Sequence, residues 1–193
     1  AQILGGGSSS VTPHYVVTPF EGIKNRAGKK IKVDTVPGCH IYKNLPAPAP
    51  ETLSTEDGRL GLSLNLFNGT ECSGAPVYSE VSTKVQHGWF HHSVPNVNQS
   101  EFSMRMEGFF TPKESGVHEL ALNSVGWCKL YLDDEMIVDH SDDSDMGKQI
   151  IAEVELKGGK AYPIKVEYYW KGNPRWRSVG IGHQPPQPLD LIA

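Results

Sequence analysis

The chain has little cysteine, no long apolar run and no surplus of positive charge, and each shortage removes a class of protein. Three cysteines in 193 residues, Cys39, Cys72 and Cys128, are an odd number without metal-site spacing, so neither a disulfide framework nor a zinc site is expected to hold the fold. They are read as reduced thiols, with one disulfide plus a free thiol as the rival, which weights the cytoplasm slightly over secretion while leaving the compartment open. The sequons at Asn68-Gly69-Thr70 and Asn98-Gln99-Ser100 do not reverse this, because about one would arise by chance in such a composition. No apolar stretch approaches the roughly 20 residues that cross a bilayer, and no signal-peptide pattern is present. A formal net charge of −4 argues against a nucleic-acid backbone or an anionic membrane as partner. The chain begins at Ala1 rather than methionine, which is read as processing or excision.

Motifs of cofactor and metal chemistry are equally thin. Gly5-Gly6-Gly7-Ser8 lacks the Lys-Ser/Thr of a phosphate-binding loop and the spacing of a dinucleotide fingerprint, and is read as a flexible loop. His91 and His92 are neighbours on an extended segment and point to opposite faces, so they are not expected to share an ion with His87. Asp139, Asp142, Asp143 and Asp145 do not follow an EF-hand loop and read as a solvated acidic run. No metal and no cofactor are expected.

What is present is turn chemistry and alternation. Twenty glycines and 14 prolines with 38% hydrophobic residues suit a turn-rich β protein better than a helical bundle. Phe102, Met104 and Met106 alternate with Ser103, Arg105 and Glu107, as one apolar face of a strand requires. Thr111 to Gly116 reads as a hairpin turn into the next alternating strand, and Asp133-Asp134 as another between Trp127 to Leu132 and Met136 to Val138. Leu60, Leu62, Leu64 and Leu66 alternate with Gly61, Ser63 and Asn65, predicting a strand over 60–67. Val77 to Val85 and Gln86 to His92 supply further strands. Ile150 to Leu156 and Tyr162 to Trp170 supply the last ones, joined by a hairpin turn at Gly158-Gly159.

Earlier residues differ. Thr18, Pro19 and Glu21 carry the signature of a capped helix start, Gly28 of its end, and Ile31 to Thr35 of a short strand. Leu45 to Glu51, with alternating prolines, favours extended polyproline geometry.

The run GFFTPKESGVHELALNSVGWCKLYLDDEMIVD, residues 108–139, resembles the protective-antigen-type domain, and the resemblance implies an antiparallel β-sandwich. GGGSSSV, TPFEGIKNRAG and VDTVPGC are similar to the second, α/β-sandwich domain of family 3 glycoside hydrolases, just before the point where many members carry such an insert. The resemblance therefore implies a mainly β fold with a short α/β flank: residues 1–40 from the host domain, a proline-rich linker over 41–58, the sandwich over 59–186, and the host helix resuming over 187–193. The parent would be a β-glucosidase. Its catalytic aspartate lies in a Ser-Asp-Trp context; Ser141-Asp142 and Ser144-Asp145 lack the tryptophan, and the acid/base belongs to sequence downstream. No catalytic residue is expected in this chain. Calcium-dependent lectins of this type carry an Asp-Asp pair where Ser124-Val125-Gly126 stands.

Trp89, Phe90, Trp127, Trp170 and Trp176 fall at expected strand ends or loops, where a ring offers an apolar face to a sugar while nearby polar groups bind hydroxyls. The resemblance adds Asp139 and His140, which begin the loop that in relatives hangs toward the host active site; here that loop is short, acidic and without the Phe-Phe-Gly element of relatives. The expected carbohydrate contacts are Trp89, Phe90, Trp127, Asp139 and His140. The expected partners are a β-glucoside or oligosaccharide and the rest of the parent glycosidase. The rival readings are a structural or oligomerisation insert without sugar contact, including a homo-oligomer, and an independent calcium-dependent lectin.

Overall fold

A computed structural model describes residues 13–35, 43–89, 94–173 and 176–186. The chain divides into two units, 1–41 and 42–193. In the first, helix α1 (Pro19–Ala27) begins as its sequence dictates: Glu21 N–H donates to Thr18 Oγ1 at 3.1 Å, Thr18 N–H donates to Glu21 Oε2 at 2.8 Å, and Pro19 sits where no N–H is needed. Gly28, at φ +66°, ends it. Ile31 is extended at φ −119°, ψ 123°, yet 32–35 join no ladder among the described residues. Alternation makes a segment able to be a strand, but only a neighbour that takes its backbone groups makes it one. The glycine-rich loop at 5–8, Cys39, His91, His92 and the expected host helix over 187–193 lie outside the described residues.

The second unit is an antiparallel sandwich with eleven strands among the described residues. They are β1 (Leu53–Ser54), β2 (Leu62–Asn68), β3 (Tyr78–Ser82), β4 (Gln86–Trp89), β5 (Glu101–Phe110), β6 (Gly116–Val125), β7 (Trp127–Leu132), β8 (Glu135–His140), β9 (Gln149–Leu156), β10 (Tyr162–Lys171) and β11 (Arg177–Gln184). One sheet runs β3-β2-β5-β10-β7-β8, with β1 also pairing β5; the other runs β4-β11-β6-β9. Period-2 patterning decides what each sheet buries. Met104, Met106, Leu130, Val166 and Tyr168 from the first sheet meet Leu120, Leu122, Val179 and Ile181 from the second, all in the core. Each such side chain contributes about 1.5 to 3 kcal/mol by leaving water.

Two of the three expected hairpins are something else. β5 and β6 lie in different sheets, as do β9 and β10, so the turns at 111–115 and 157–161 are corners that carry the chain across the sandwich. The corners bind each other: Gly159 N–H donates to Pro112 O at 2.8 Å and Gly158 N–H to Ser115 Oγ at 2.9 Å. Proline and glycine mark a reversal, but which strand the chain then pairs with is decided by distant residues. The third hairpin forms as expected. Leu132 pairs with Glu135 across Asp133 (φ 52°) and Asp134 (φ 64°), the two left-handed residues that a twist-matched two-residue turn needs.

Other boundaries move for local reasons. Leu60 is 52% exposed and β2 starts at Leu62, because Gly61, at φ +104°, turns the chain before the strand begins. The second half of the proline-rich segment is not a free linker. Leu53 is in the core and pairs with Phe110, while Thr52 O accepts from Thr111 N–H at 2.8 Å.

Candidate functional site at the loop end of the sandwich

Strand directions sort the connections between two ends. The end where β7 turns into β8 has the two-residue turn and the compact corners. The opposite end holds the last residues of β2, β4, β8 and β10, the connections 69–77 and 141–148 and the single-residue turn at Gly126. All four tryptophans of the chain stand at that end: Trp89 closes β4, Trp127 opens β7, Trp170 is next to last in β10 and Trp176 precedes β11. Rings spread over 88 positions of sequence are brought together by antiparallel order alone.

The tightest turn there has a steric cause. Gly126 sits at φ +125°, and a Cβ on it would stand 2.4 Å from the Tyr168 hydroxyl oxygen. That hydroxyl donates to Val125 O at 2.9 Å, and Ser124 Oγ donates to Gly126 O at 2.8 Å and Ser178 O at 3.1 Å as alternative acceptors. The Ser124-Val125-Gly126 segment is therefore committed to closing the β6–β7 connection.

The 141–148 loop is tied down at several points. Gly147 N–H donates to Ser124 O at 2.6 Å, Asp145 N–H to Asp142 O at 3.0 Å and Lys148 N–H to Asp145 O at 2.8 Å. Asp143 reaches back over the first sheet, where its Oδ1 accepts from Trp127 Nε1–H at 2.7 Å. Trp127 in turn lies nearly parallel to Tyr169, with centroids 5.3 Å apart and planes 13° apart. By strand alternation this pair is on the outer face of the sheet, since Cys128, Tyr168 and Trp170 point inward. Asp139 is on the same outer face of β8, exposed, with its carboxylate 4.0 Å from Lys129 Nζ. An ion pair this open is worth about 0 to 1 kcal/mol, so the carboxylate stays available to other donors. Half-buried aromatic faces edged by carboxylate acceptors make a surface suited to binding a polyhydroxylated ligand with apolar faces.

The expected contacts separate in the structure. Asp139 and Trp127 belong to this surface. His140 does not: at 1% exposure it is inside the sandwich, because consecutive strand residues face opposite ways. Its Nε2–H donates to Lys148 O at 3.2 Å, so its work is to hold the loop's far end. Trp89 also faces inward, half-buried, with centroids 5.6 Å from both Phe102 and Tyr168. Phe90 lies outside the described residues. Tyr169 and Asp143 were missed. The signal for Tyr169 was present in Tyr168-Tyr169-Trp170, whose middle ring must fall on the polar face of an alternating strand; nothing local pairs Asp143 with an indole 16 residues earlier.

The architecture defines an antiparallel β-sandwich with its long loops and tryptophans at one end. Residues 58–189 match the model of the PA14 domain, and the chain belongs to that family. It is also similar to curated proteins named "Probable beta-glucosidase I": that of Neosartorya fischeri is 30% identical over 178 residues, covering 87% of this chain and 21% of that protein. The protein of the same name from Emericella nidulans is 33% identical over 164 residues, covering 83% of this chain and 19% of that protein. Among solved structures, the β-glucosidase from Kluyveromyces marxianus in complex with glucose superposes with a TM-score of 0.71 at 26% identity, over 97% of this chain and 23% of that one. The chain thus spans about a fifth of the length of the curated relatives it matches.

Proposed function

We propose that the chain is an accessory, carbohydrate-contacting module of a family 3 type β-glucosidase, whose loop end walls the aglycone side of the catalytic pocket and sets the length of substrate accepted. The observation that carries this reading is the Trp127–Tyr169 stack, capped by Asp143 and flanked by Asp139, on the outer face at the loop end. The β-glucosidases among its relatives, and a structural neighbour that holds glucose, support the class of ligand.

In this reading the ring pair packs against the apolar face of the leaving-group sugar, and Asp139 accepts a hydroxyl hydrogen bond. Chemistry at the first sugar belongs to residues elsewhere in the parent. Contacts made only to the leaving group alter discrimination between substrates. The test is kcat/KM of the parent enzyme for an aryl glucoside, a disaccharide and a longer oligosaccharide, in wild type, Asp139→Ala and Trp127→Ala. A lost hydroxyl hydrogen bond is worth about 0.5 to 1.5 kcal/mol, roughly threefold to tenfold in kcat/KM, and it should fall on the longer substrates alone. Equal effects on all three substrates, or none, would favour a structural or oligomerisation insert.

A further inference from the structure

The outer face of the second sheet carries a recess beside three glycines, each of which lets a neighbouring side chain approach the backbone. Three outward positions, Gly88 on β4 and Gly180 and Gly182 on β11, are glycine. Their register sets them in sequence: Ser178 pairs with Gly88, Gly180 with both Gln86 and Asn123, and Gly182 with Ala121. Trp176 lies over the first. A Cβ on Gly88 would stand 2.9 Å from its Cη2, 3.2 Å from its Cζ2 and 3.6 Å from its Cζ3, so the six-membered ring rests on bare backbone. The indole is nevertheless 50% exposed. The last glycine is covered: Leu45 packs over Gly182, with its N–H donating to Gln149 Oε1 at 2.8 Å, and Pro46 O accepts from His183 N–H at 2.8 Å.

Between the indole and this strap, Gly180 is buried, with the side chains of Asn123 and Gln86 closing over it. Asn123 Oδ1 is 2.6 Å from where a Gly180 Cβ would be, and Gln86 Cγ 3.1 Å. The recess holds about 260 Å³, lined by Gln86, His87, Gly88, Asn123, Trp176 and Ser178 with the β11 residues 179 and 180. None of the lining residues carries a full charge at neutral pH, since burial pushes the His87 imidazole below its usual range. A half-exposed indole, two side-chain amides with both donors and acceptors, and an uncharged lining of single-sugar size match a pyranose, which has an apolar face and equatorial hydroxyls that each give and take hydrogen bonds. A charged ligand would find no counter-ion among these residues.

We propose that this recess is a second carbohydrate subsite, taking one neutral β-linked hexopyranose unit stacked on Trp176 with hydroxyls bound by Asn123 and Gln86. It takes its class of ligand from the function proposed above. It shares no residue with the Trp127, Tyr169, Asp139 and Asp143 surface. In the enzyme it would hold a remote unit of an oligosaccharide or glucan.

The test is a titration of the full chain with methyl β-D-glucopyranoside, cellobiose and cellotetraose, followed by the indole N–H resonances. The Trp176 signal is assigned by its loss in Trp176→Phe. The expected result is saturable movement of that signal, and an affinity for cellotetraose that falls at least tenfold in Trp176→Ala and about threefold in Asn123→Ala. Gly88→Ala retains the indole but obstructs its seat, and should weaken binding with far-UV circular dichroism unchanged. Asp139→Ala and Trp127→Ala should leave the Trp176 titration as it is, so a failure of the loop-end proposal registers separately. A Trp176 signal that does not move at millimolar sugar, or equal affinity in wild type and Trp176→Ala, overturns the proposal.

Discussion

Lowering the pH should loosen the sandwich through one pair of histidines, and the size of the effect comes from their bonding. His118 is fully buried on β6 and His183 half-buried on β11, with rings nearly parallel at 14° and His118 Nδ1 2.9 Å from His183 Nε2. The tautomers are fixed by the neighbours. His118 Nε2 is 3.0 Å from Glu114 O, a carbonyl that only accepts, so Nε2 carries the proton, Nδ1 is the acceptor, and His183 Nε2–H donates to it. The other side of His183 meets the Phe110 ring edge-on at 4.9 Å. Burial, and then the charge His118 would carry, hold the His183 imidazole down at about 4. In the unfolded chain it would take up its proton near 6.5. Between those values the unfolded state binds more protons, so stability rises with pH; it is complete above about 6.5 and is lost as pH falls toward 4. At 1.36 kcal/mol per unit the whole shift corresponds to about 3 kcal/mol, and the ring's partial contact with solvent screens this to about 1 to 2 kcal/mol. Urea midpoints should therefore be measured from pH 7.5 to 4.5 on wild type and on His183→Gln, whose amide still donates to His118. The wild type should lose that much more than the variant over the range, at constant m-value. Parallel pH profiles would refute the reasoning, because carboxylates common to both proteins would then account for the whole slope.

Three further expectations concern single positions. Gly126→Ala places a methyl 2.4 Å from the Tyr168 hydroxyl at φ +125° and should cost about 3 kcal/mol or more, read as a drop in chemical-denaturation midpoint. Asp134→Gly relieves a side chain held at φ 64° in the β7–β8 turn while keeping the Asp133–Lys160 pair at 3.5 Å, and should raise stability by about 0.5 to 1 kcal/mol in the same assay. Cys72 and Cys128 are free, buried thiols whose pKa values burial raises, that of Cys128 to about 12. In a Cys39→Ser background neither should react with a thiol reagent until denaturant is added, and rapid labelling of the native protein would contradict this.

The sequence by itself determined most of the sandwich strands, which face of each is apolar and where the chain reverses, because alternation and turn chemistry act over a few neighbouring residues; it could not tell that Ile31 to Thr35 lacks a strand partner among the described residues. The capped start of α1 at Thr18-Pro19-Glu21 and the left-handed pair Asp133-Asp134 were legible for that reason. Tertiary structure decided to which sheet each reversal delivers the chain. The turns at 111–115 and 157–161 read as hairpins but carry the chain between sheets, since partners are chosen by packing over tens of residues and not by the turn. The same long-range order placed His140 inside and Asp139 outside, put Asp143 against Trp127, and gathered four tryptophans from separate parts of the chain at one end. It also set Gly88 beneath Trp176, Gly180 beneath Asn123 and Gly182 beneath Leu45. A glycine in a strand shows only that something comes close to the backbone; what comes close is set by register, which no single stretch of sequence contains.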